Sequence, residues 1–466
     1  MTAAGIATSW GDASLRAAAQ RPPFVVVLAG IDSSDIVDAA LADPALTDVA
    51  IPRFEPACTP PCDALLWRLE TASGDSLNSR GLLARHWHRA PYAMTLRLMR
   101  YGPGSAVPEI LDEGTLGTRG PRKAFLAAAD RLAMRFVRDA ALGRGRGPAR
   151  APPAAAARGL PGWLDATRAK WRDRLMAEWW SIGTTAASLD SVLSNEGLGD
   201  ITWYRTAAGH RYLADPFPWF GTDRILCEEM PLSGGVGRIV AVTAADGILS
   251  PPAVLLDDGN HHSYPCTLRD GDAVYCIPEA TQRGATRIHR LHANGQLIPI
   301  CDPAPYARLA DPTLFQWNER YWLACTDLDL GEHDNLCLLH APAVSGPWTR
   351  HARWPVKIDV RGARPAGMLF NIAGRLFRPG QDCALTYGAA VAIHEIVALS
   401  ETDFRESLVT VLRPDPSGPF PHGLHTLVHD GDRFWLDGKR FVFDLGLFRM
   451  KLLDKAARVF SKMGVV

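Results

Sequence analysis

Ala214-Asp215-Pro216-Phe217 opens a pattern that returns later in the chain as Ala310-Asp311-Pro312-Thr313. Asp215, Ser263 and Asp311 follow one another at intervals of 48 residues, and regular spacing of this length is typical of a repeat protein. Each unit begins with a polar residue, continues as an apolar hairpin and closes on an acid. Five such units lie between residues 213 and 440: Asp215 to Glu229, Ser263 to Glu279, Asp311 to Asp327, Arg364 to Asp382, and His425 to Asp437.

The middle of each unit has the composition of a turn between two β-strands. Arg269-Asp270-Gly271-Asp272 is one such turn, and Arg320-Tyr321-Trp322-Leu323 is the aromatic strand that follows another. The first and last residues of an antiparallel hairpin lie at the same end. Five hairpins arranged radially would therefore bring their polar residues to one mouth of a central axis. The sequence predicts a mainly β protein with a five-bladed β-propeller, and a β-sandwich with solvated acids in its turns is the alternative.

Shifts in composition divide the chain into four segments. In the first, Phe24–Gly30 and Asp63–Leu69 are predicted strands and Lys123–Leu142 a predicted helix. Leu164–Trp180 is predicted to be a basic amphipathic helix leading into the propeller. The C-terminal helix is expected to pack against a blade or to touch a membrane surface. The four segments are a small α/β domain at residues 1–142, a flexible linker at 143–162, the propeller at 163–443 and a basic helix at 444–466.

The charge balance argues against a nucleic-acid partner. Lys plus Arg and Asp plus Glu both number 50, so the formal net charge is zero and no chain-wide basic field is available. The chain starts without a basic region followed by an apolar core, and no apolar run is long enough for a membrane-spanning helix. We therefore expect a soluble, cytoplasmic protein.

Carboxyl groups at the predicted mouth suit chemistry at a glycosidic bond, which needs one carboxylate and one carboxylic acid. Asp215 and Asp311 both precede proline, which restricts the preceding residue and favours an extended backbone. We predict that both are catalytic carboxylates on opposite sides of the axis. Glu279 and Asp382 are the candidates for the proton donor, and the residues themselves leave this choice open.

Other polar and aromatic side chains are predicted to bind substrate at the same mouth. Arg364 and Arg378 bracket the fourth hairpin and suit bidentate binding of an anionic part of the substrate. Several histidines there leave a central-channel metal ion open, but no set such as His-x-x-x-His on a predicted helix occurs and no residue is assigned as a metal ligand. The remaining binding candidates are Glu229, His262, Tyr264, Asp327, Gln381, Tyr387 and His425.

Further short motifs accompany the two Asp-Pro steps. They are Cys227-Glu228-Glu229, His262-Ser263-Tyr264-Pro265, Ile277-Pro278-Glu279, Arg364-Pro365-Ala366-Gly367, Arg378-Pro379-Gly380-Gln381-Asp382-Cys383 and Tyr387-Gly388. Together they resemble the glycoside hydrolase family 43-like five-bladed propeller family, which occurs at the N-terminus of plant glucosamine inositolphosphorylceramide transferases and in bacterial proteins. The resemblance covers roughly residues 178–443 and implies a carbohydrate context.

The resemblance also implies roles for individual residues. Asp215 matches the family's base, Asp311 matches the aspartate that tunes the pKa, and His425 matches a histidine facing the central channel. The third position departs from the pattern, because the corresponding hairpin offers Gln381 and Asp382 and the best glutamate, Glu279, lies one blade earlier. The N-terminal segment resembles a degenerate formyltransferase-like domain without its catalytic stretch, so no activity is carried over.

The sequence therefore predicts a carbohydrate-active enzyme that transfers or hydrolyses a glycosidic bond in a bacterial surface-polysaccharide or glycolipid pathway. Its expected substrates are a carbohydrate, a sugar nucleotide or a lipid-linked sugar. One alternative is a non-catalytic glycan-binding or scaffold propeller. Another is acyl or formyl transfer in the N-terminal domain, around Gly30 to Ser34.

Overall fold

The computed structural model describes residues 24–27, 65–72, 74, 83–85, 87, 92–101, 108–118, 122–141, 171–172, 175–194, 197–206, 211–231 and 235–443. The chain divides into two compact units, residues 1–154 and 155–466. The linker predicted at 143–162 and the basic helix predicted at 444–466 lie outside the described residues. In the described part of the chain, no helix combines the length and the apolar character needed to cross a bilayer.

The described part of the N-terminal unit contains a four-stranded sheet and a helix. They are β1 (Phe24–Val27), β2 (Leu65–Thr71), β3 (Ala93–Tyr101), β4 (Glu109–Gly117) and helix α1 (Arg122–Ala141). β1 is parallel to β2, whereas β2, β3 and β4 are antiparallel neighbours. α1 contacts β4 and buries residues three and four positions apart, among them Leu132, Phe136 and Val137. The resemblance of this unit to a formyltransferase stays a prediction.

The second unit is built from five antiparallel sheets. Its first elements are β5 (Ala177–Thr185), the short helix α2 (Leu189–Leu193) and β6 (Thr202–Trp203). Blade 1 contains β7 (Arg211–Pro218), β8 (Arg224–Pro231), β9 (Arg238–Ala245), β10 (Ile248–Leu249) and β11 (Ala253–Leu256). Blade 2 contains β12 (His262–Asp270), β13 (Ala273–Ala280), β14 (Ile288–Leu291) and β15 (Leu297–Cys301).

The remaining blades follow in chain order. Blade 3 contains β16 (Leu309–Trp317), β17 (Arg320–Asp327), β18 (Asn335–Ala341), β19 (Thr349–Arg350) and β20 (Lys357–Ile358). Blade 4 contains β21 (Arg361–Pro365), β22 (Phe370–Ile372), β23 (Arg375–Asp382), β24 (Ala390–Leu399) and β25 (Phe404–Leu412). Blade 5 contains β26 (Leu427–Asp430) and β27 (Arg433–Val442) together with β5 and β6.

The inner strands of these sheets form a ring. β7 contacts β12, β12 contacts β16, β16 contacts β21, and β26 contacts β7, while the Leu427 N–H donates to the Ala366 carbonyl between blades 5 and 4. A blade is therefore covered on both faces by its neighbours, and β18 is buried at every position instead of at alternate ones. The fold is a five-bladed β-propeller, as predicted, and not a sandwich.

The ring is closed by strands from opposite ends of the propeller. β27 pairs with β5 along its length, from Phe434 opposite Thr185 to Val442 opposite Ala177. The helix predicted for Leu164–Trp180 is therefore wrong at its end, where Ala177–Trp180 begin β5. The residues of β5 up to Ile182 pair only with β27, at the other end of the propeller sequence, and this explains the error.

Candidate functional site

The inner strands of blades 1 to 3 share an unusual backbone conformation near their first residues. These residues lie at the mouth, which is the end of the central axis where the inner strands begin. Asp215, Tyr264 and Asp311 each precede a proline and have φ angles of 54°, 45° and 47°. The strand register shifts at each of these steps, as in a β-bulge. The extended geometry predicted for the two aspartates is therefore wrong. Non-glycine residues with such φ angles are strained and are often found at functional sites.

The same step corrects the alignment of the repeats. The residue of blade 2 that is equivalent to Asp215 and Asp311 is Tyr264, and not Ser263. Its ring is fully buried, and its hydroxyl bonds to Thr313 Oγ1 (2.8 Å) and accepts from the Gly367 N–H (2.6 Å). Tyr264 thus joins blades 2, 3 and 4 in the core, and its ring has no free face for a sugar.

Asp215 lies at the junction of three blades and is only 4% exposed. Its Oδ2 accepts from the Tyr264 N–H (3.1 Å), and its Oδ1 accepts from Thr426 Oγ1 (2.7 Å). Burial raises the pKa of Asp215 to about 6, with Asp437 and Asp311 adding to the shift while His425 opposes it. A carboxyl group with this pKa can act as a base near neutral pH.

His425 and Asp437 support Asp215 from blade 5. Asp437 Oδ2 lies 2.7 Å from His425 Nδ1, and His425 Nε2 lies 3.5 Å from Asp215 Oδ1. The imidazole also stacks on Trp180, with ring centroids 3.9 Å apart. Although burial opposes the change, the charges of Asp437 and Asp215 raise the pKa of His425.

Asp215, His425 and Asp437 have ligand atoms within 4.8 Å of one another and have the chemistry of a cation site. However, Asp437 Oδ1 already accepts from the N–H groups of His425 (3.1 Å) and Thr426 (3.0 Å), and its Oδ2 accepts from the Asp215 N–H (3.1 Å). The donors of the protein itself therefore satisfy these oxygens.

Asp311 is held by blade 4. Arg364 Nε lies 2.5 Å from Asp311 Oδ2 and Arg364 Nη2 lies 3.3 Å from Oδ1, which makes a bidentate pair. Gln381 Nε2 donates to the same Oδ2 (2.6 Å). The remaining nitrogen of Arg364, Nη1, donates to the Glu332 carbonyl (2.8 Å). The guanidinium group is thus occupied by protein partners instead of facing a ligand.

Glu279 belongs to the same cluster. Its Oε2 accepts from the Asp311 N–H (2.9 Å) and lies 3.9 Å from Arg364 Nη2. Burial raises the pKa of Glu279 to about 8, and the charge of Asp311 adds to the shift while Arg364 opposes it. Of the two candidate proton donors, Glu279 is the one that the structure brings to Asp311.

Asp382 is directed elsewhere. Gln381 and Asp382 are neighbours in β23, and successive side chains of a strand point to opposite faces. Asp382 Oδ1 accepts from the Ala384 N–H (3.0 Å), and its pKa is raised by burial while the nearby Arg413 opposes the shift. Asp382 therefore stabilises a turn in blade 4.

Arg378 also lies outside the cluster, although the sequence predicts it beside Arg364. Its Nε and Nη2 atoms bond to the two carboxylate oxygens of Glu406 (2.9 and 2.7 Å). Nη2 donates in addition to the Gly362 carbonyl (2.7 Å). The nitrogens of the guanidinium group all bond to acceptors in blade 4. Arg378 therefore has no free donor for the predicted contact with an anionic substrate.

Of the other predicted binding residues, three lie away from the Asp215 cluster and one lies beside it. Asp327 accepts from Trp354 Nε1 (3.0 Å), Glu229 from Arg238 Nε (2.6 Å), and His262 bonds to Asp258 (2.9 Å). These contacts leave the three residues outside the Asp215 cluster. Tyr387 lies close to it, with its ring centroid 5.3 Å from that of His425 and 5.0 Å from the Arg364 guanidinium.

Two members of the cluster were not among the predicted site residues. Asp437 was recognised only as the end of the fifth unit, and Glu228 only as one of several acids at the predicted mouth. The charges of Asp215, Glu279 and Asp437 act on Glu228, whereas Glu229 pairs with Arg211 and Arg238. The alternation of side chains along β8 could have separated the two glutamates, had the strand register been known.

One segment of the propeller matches a known family model. Residues 206–417 match the family model described as Glucosamine inositolphosphorylceramide transferase 1, N-terminal. The propeller segment is similar to this N-terminal domain. The match covers strands β7 to β25 and leaves out the strands of blade 5, including Asp437.

Curated relatives of this segment are plant proteins. The glucosamine inositolphosphorylceramide transferase 1 of Oryza sativa subsp. indica is 28% identical over 209 residues, which is 42% of this chain and 27% of the relative. The protein of the same name from Arabidopsis thaliana is 26% identical over 208 residues, with the same shares of both chains. This chain thus spans 27% of the length of these relatives.

Two solved structures of other proteins show a partial similarity to this chain. The exo-beta-1,3-galactanase from Phanerochaete chrysosporium has a TM-score of 0.34 at 12% identity, over 43% of this chain and 49% of that chain. A GH43 protein from Bacillus licheniformis has a TM-score of 0.33 at 14% identity, over 47% of each chain.

Proposed function

We propose that the propeller is a carbohydrate-active domain that acts on a glycosidic bond by acid–base catalysis, with Asp215 as the base. The observation that carries this proposal is the setting of Asp215. It is a buried carboxyl group with a pKa of about 6, and partners from three blades hold it on a strained backbone step. Such a group is fixed in place and is ready to take up a proton near neutral pH.

The other members of the cluster support this chemistry. Asp311, paired with Arg364, supplies a fixed charge that contributes to the raised pKa values of Asp215 and Glu279. Glu279, with a pKa of about 8, is mostly protonated at neutral pH, and a carboxyl group in this state can give a proton to a leaving oxygen. Tyr387, half-buried beside His425 and Arg364, is an aromatic side chain close to the cluster against which a sugar ring can pack.

The relatives support a setting in glycan or glycolipid assembly. The plant relatives are named glucosamine inositolphosphorylceramide transferase 1, and the segment matches part of those proteins. We propose a sugar nucleotide or a lipid-linked sugar as the substrate, in a cytoplasmic, bacterial surface-polysaccharide or glycolipid pathway.

A non-catalytic glycan-binding propeller is the second candidate, and one observation favours it. The carboxylate of Asp311 is fully engaged by Arg364 and Gln381. An aspartate whose carboxylate is bound by protein groups can stabilise the ring of blades without taking part in a reaction.

The substitution Asp215→Asn distinguishes the two candidates. The full chain is assayed with a panel of aryl glycosides and sugar nucleotides, and glycan binding is measured by calorimetry. Acid–base catalysis predicts a loss of turnover of roughly 10²–10⁴-fold with ligand affinity retained. Asp432→Asn is the matched control, because the Asp432 side chain is 83% exposed in a turn of blade 5. Glycan binding without any turnover in the unsubstituted protein would favour the binding propeller.

A further inference from the structure

Glu228 is an unpartnered carboxyl group at the mouth. It lies in β8 opposite Ala214, the residue before Asp215, and it is 7% exposed. The imidazole of His261 is beside it, and His261 Nε2 lies 3.8 Å from Glu228 Oε1, beyond hydrogen-bond distance. Among the residues that the structure describes, none makes a hydrogen bond to this carboxyl group. The side chain is 10% exposed, so the carboxyl group is held at the mouth and is still open to a ligand.

The surroundings of Glu228 favour its protonated form. Burial raises its pKa well above the usual range, and the charges of Asp215, Glu279, Asp437 and Asp311 raise it further. No described residue accepts a hydrogen bond from this carboxyl group, so its proton is available to a ligand. Glu279 differs, because its Oε2 is tied to the Asp311 N–H.

The tautomer of His261 is fixed by the backbone. The Gly237 N–H donates to His261 Nδ1 (2.9 Å), and a nitrogen that accepts a hydrogen bond carries no proton. Burial lowers the pKa of His261, with the charge of His262 adding to the shift, so the ring is neutral at pH 7. Its single N–H is then at Nε2, which faces Glu228.

Gly237 leaves the space that this arrangement needs. A Cβ atom at this position would lie 2.3 Å from Glu228 Oε1, 2.8 Å from the His262 carbonyl oxygen and 2.9 Å from the His261 ring. A residue with a side chain would displace either Glu228 or His261. The loop, the imidazole and the carboxyl group are thus fitted to one another.

We infer that Glu228 is the proton donor of the glycosidic reaction and that His261 is its positioning residue. The inference rests on the proposed function and deepens it, because it moves the acid role from Glu279 to Glu228. Glu279 then serves to hold the backbone of Asp311.

In the proposed reaction, Glu228 loses one proton and Asp215 gains one. Glu228 gives its proton to the glycosidic oxygen while the bond from that oxygen to the anomeric carbon breaks, and the electron pair leaves with the oxygen. Asp215 takes the proton of the incoming hydroxyl group, whose oxygen forms the new bond to the anomeric carbon. The Glu228 carboxylate that remains can accept the His261 Nε2–H, and solvent returns the proton.

The test compares Glu228→Gln with Glu229→Gln in the full chain. Aryl glycosides of common pentoses, hexoses and amino sugars serve as probes, each with a good leaving group (2,4-dinitrophenol) and a poor one (4-methylphenol). A lost proton donor slows cleavage of the poor leaving group by roughly 10²–10⁴-fold and has little effect on the good one. Glu229→Gln is the control, because Glu229 is paired with Arg238 away from the cluster.

Two further variants keep the test decisive. Gly237→Ala, which displaces the Glu228 side chain, should reproduce the dependence on the leaving group if Glu228→Gln does not fold. His261→Ala removes a donor to the ionised acid, so the basic limb of the pH–rate profile should move to higher pH. If the unsubstituted protein is active and Glu228→Gln has normal rates on both leaving groups, this inference alone is overturned. If the unsubstituted protein turns over no probe, the proposed function fails and the inference with it.

Discussion

The Asp215 N–H in blade 1 donates to Asp437 Oδ2 in blade 5 at 3.1 Å. This bond joins residues 222 positions apart in the sequence, and it connects the candidate base to the blade that closes the ring. The same carboxylate accepts from His425 and Thr426. Asp437 therefore supports the position of Asp215 and the structure of blade 5 together.

Replacing Asp437 should weaken the fold. In Asp437→Asn the amide nitrogen faces backbone donors that need an acceptor, and an unsatisfied buried donor costs about 1–3 kcal/mol. We expect the free energy of unfolding in urea to fall by an amount in that range. Asp432→Asn, in an exposed turn of the same blade, should leave it unchanged. Equal unfolding midpoints for the two variants would contradict the role assigned to Asp437.

Arg364 and Asp311 should behave as one unit. Removing one partner of a buried ion pair leaves an uncompensated charge and costs about 3–5 kcal/mol. Arg364→Met should therefore be strongly destabilising, and the double variant Arg364→Met, Asp311→Asn should recover part of the loss. A double-mutant cycle measured by denaturant unfolding gives the coupling energy. Strict additivity of the two substitutions would show that the pair is not coupled.

The stability of the propeller should decrease from acidic to mildly alkaline pH. The folded state raises the pKa of Glu279 from 4.5 to about 8, so the native protein binds more protons than the unfolded chain within that interval. Its contribution is complete below pH 4.5 and is lost as the pH rises through about 8. Melting temperatures recorded across this range should fall with pH, and Glu279→Gln should show a flatter dependence. Identical slopes for the two proteins would refute the assignment.

Gly438 should tolerate no side chain. It lies in β27 at the closing seam, and a Cβ atom there would come within 2.3 Å of the Trp203 ring and 2.8 Å of Phe420 Cβ. Overpacking of this kind costs about 1–3 kcal/mol, so Gly438→Ala should lower the unfolding midpoint. Gly418→Ala is the control, because its nearest neighbour would be 3.3 Å away. If both variants had the same unfolding midpoint, close packing at this seam would not limit the stability of the propeller.

The sequence was sufficient to predict the blades, because the Asp-Pro step and the closing acid repeat at a nearly fixed phase. It could not specify which acid of a neighbouring pair faces the axis. A bulge at each pre-proline step shifts the register by one residue, and such a shift exchanges the two faces of a strand. In the finished fold, Glu228 and Gln381 reach the cluster, while Glu229 and Asp382 point away from it.

The role of Asp437 was beyond local sequence reasoning for a different reason. Its function depends on an N–H group in another blade, and no spacing or motif near residue 437 records that partner. The buried pair of Arg378 and Glu406 is similar, because the two residues meet across blade 4 through strands that are not consecutive in sequence.

Because β5 and β27 share one sheet, the candidate base acquires its full set of partners only after the ribosome has made the last strand. A chain released early would contain Asp215, Asp311 and Glu279 and yet would lack the aspartate that anchors the first of them. Asp215 can therefore be anchored in its place only when the propeller is complete.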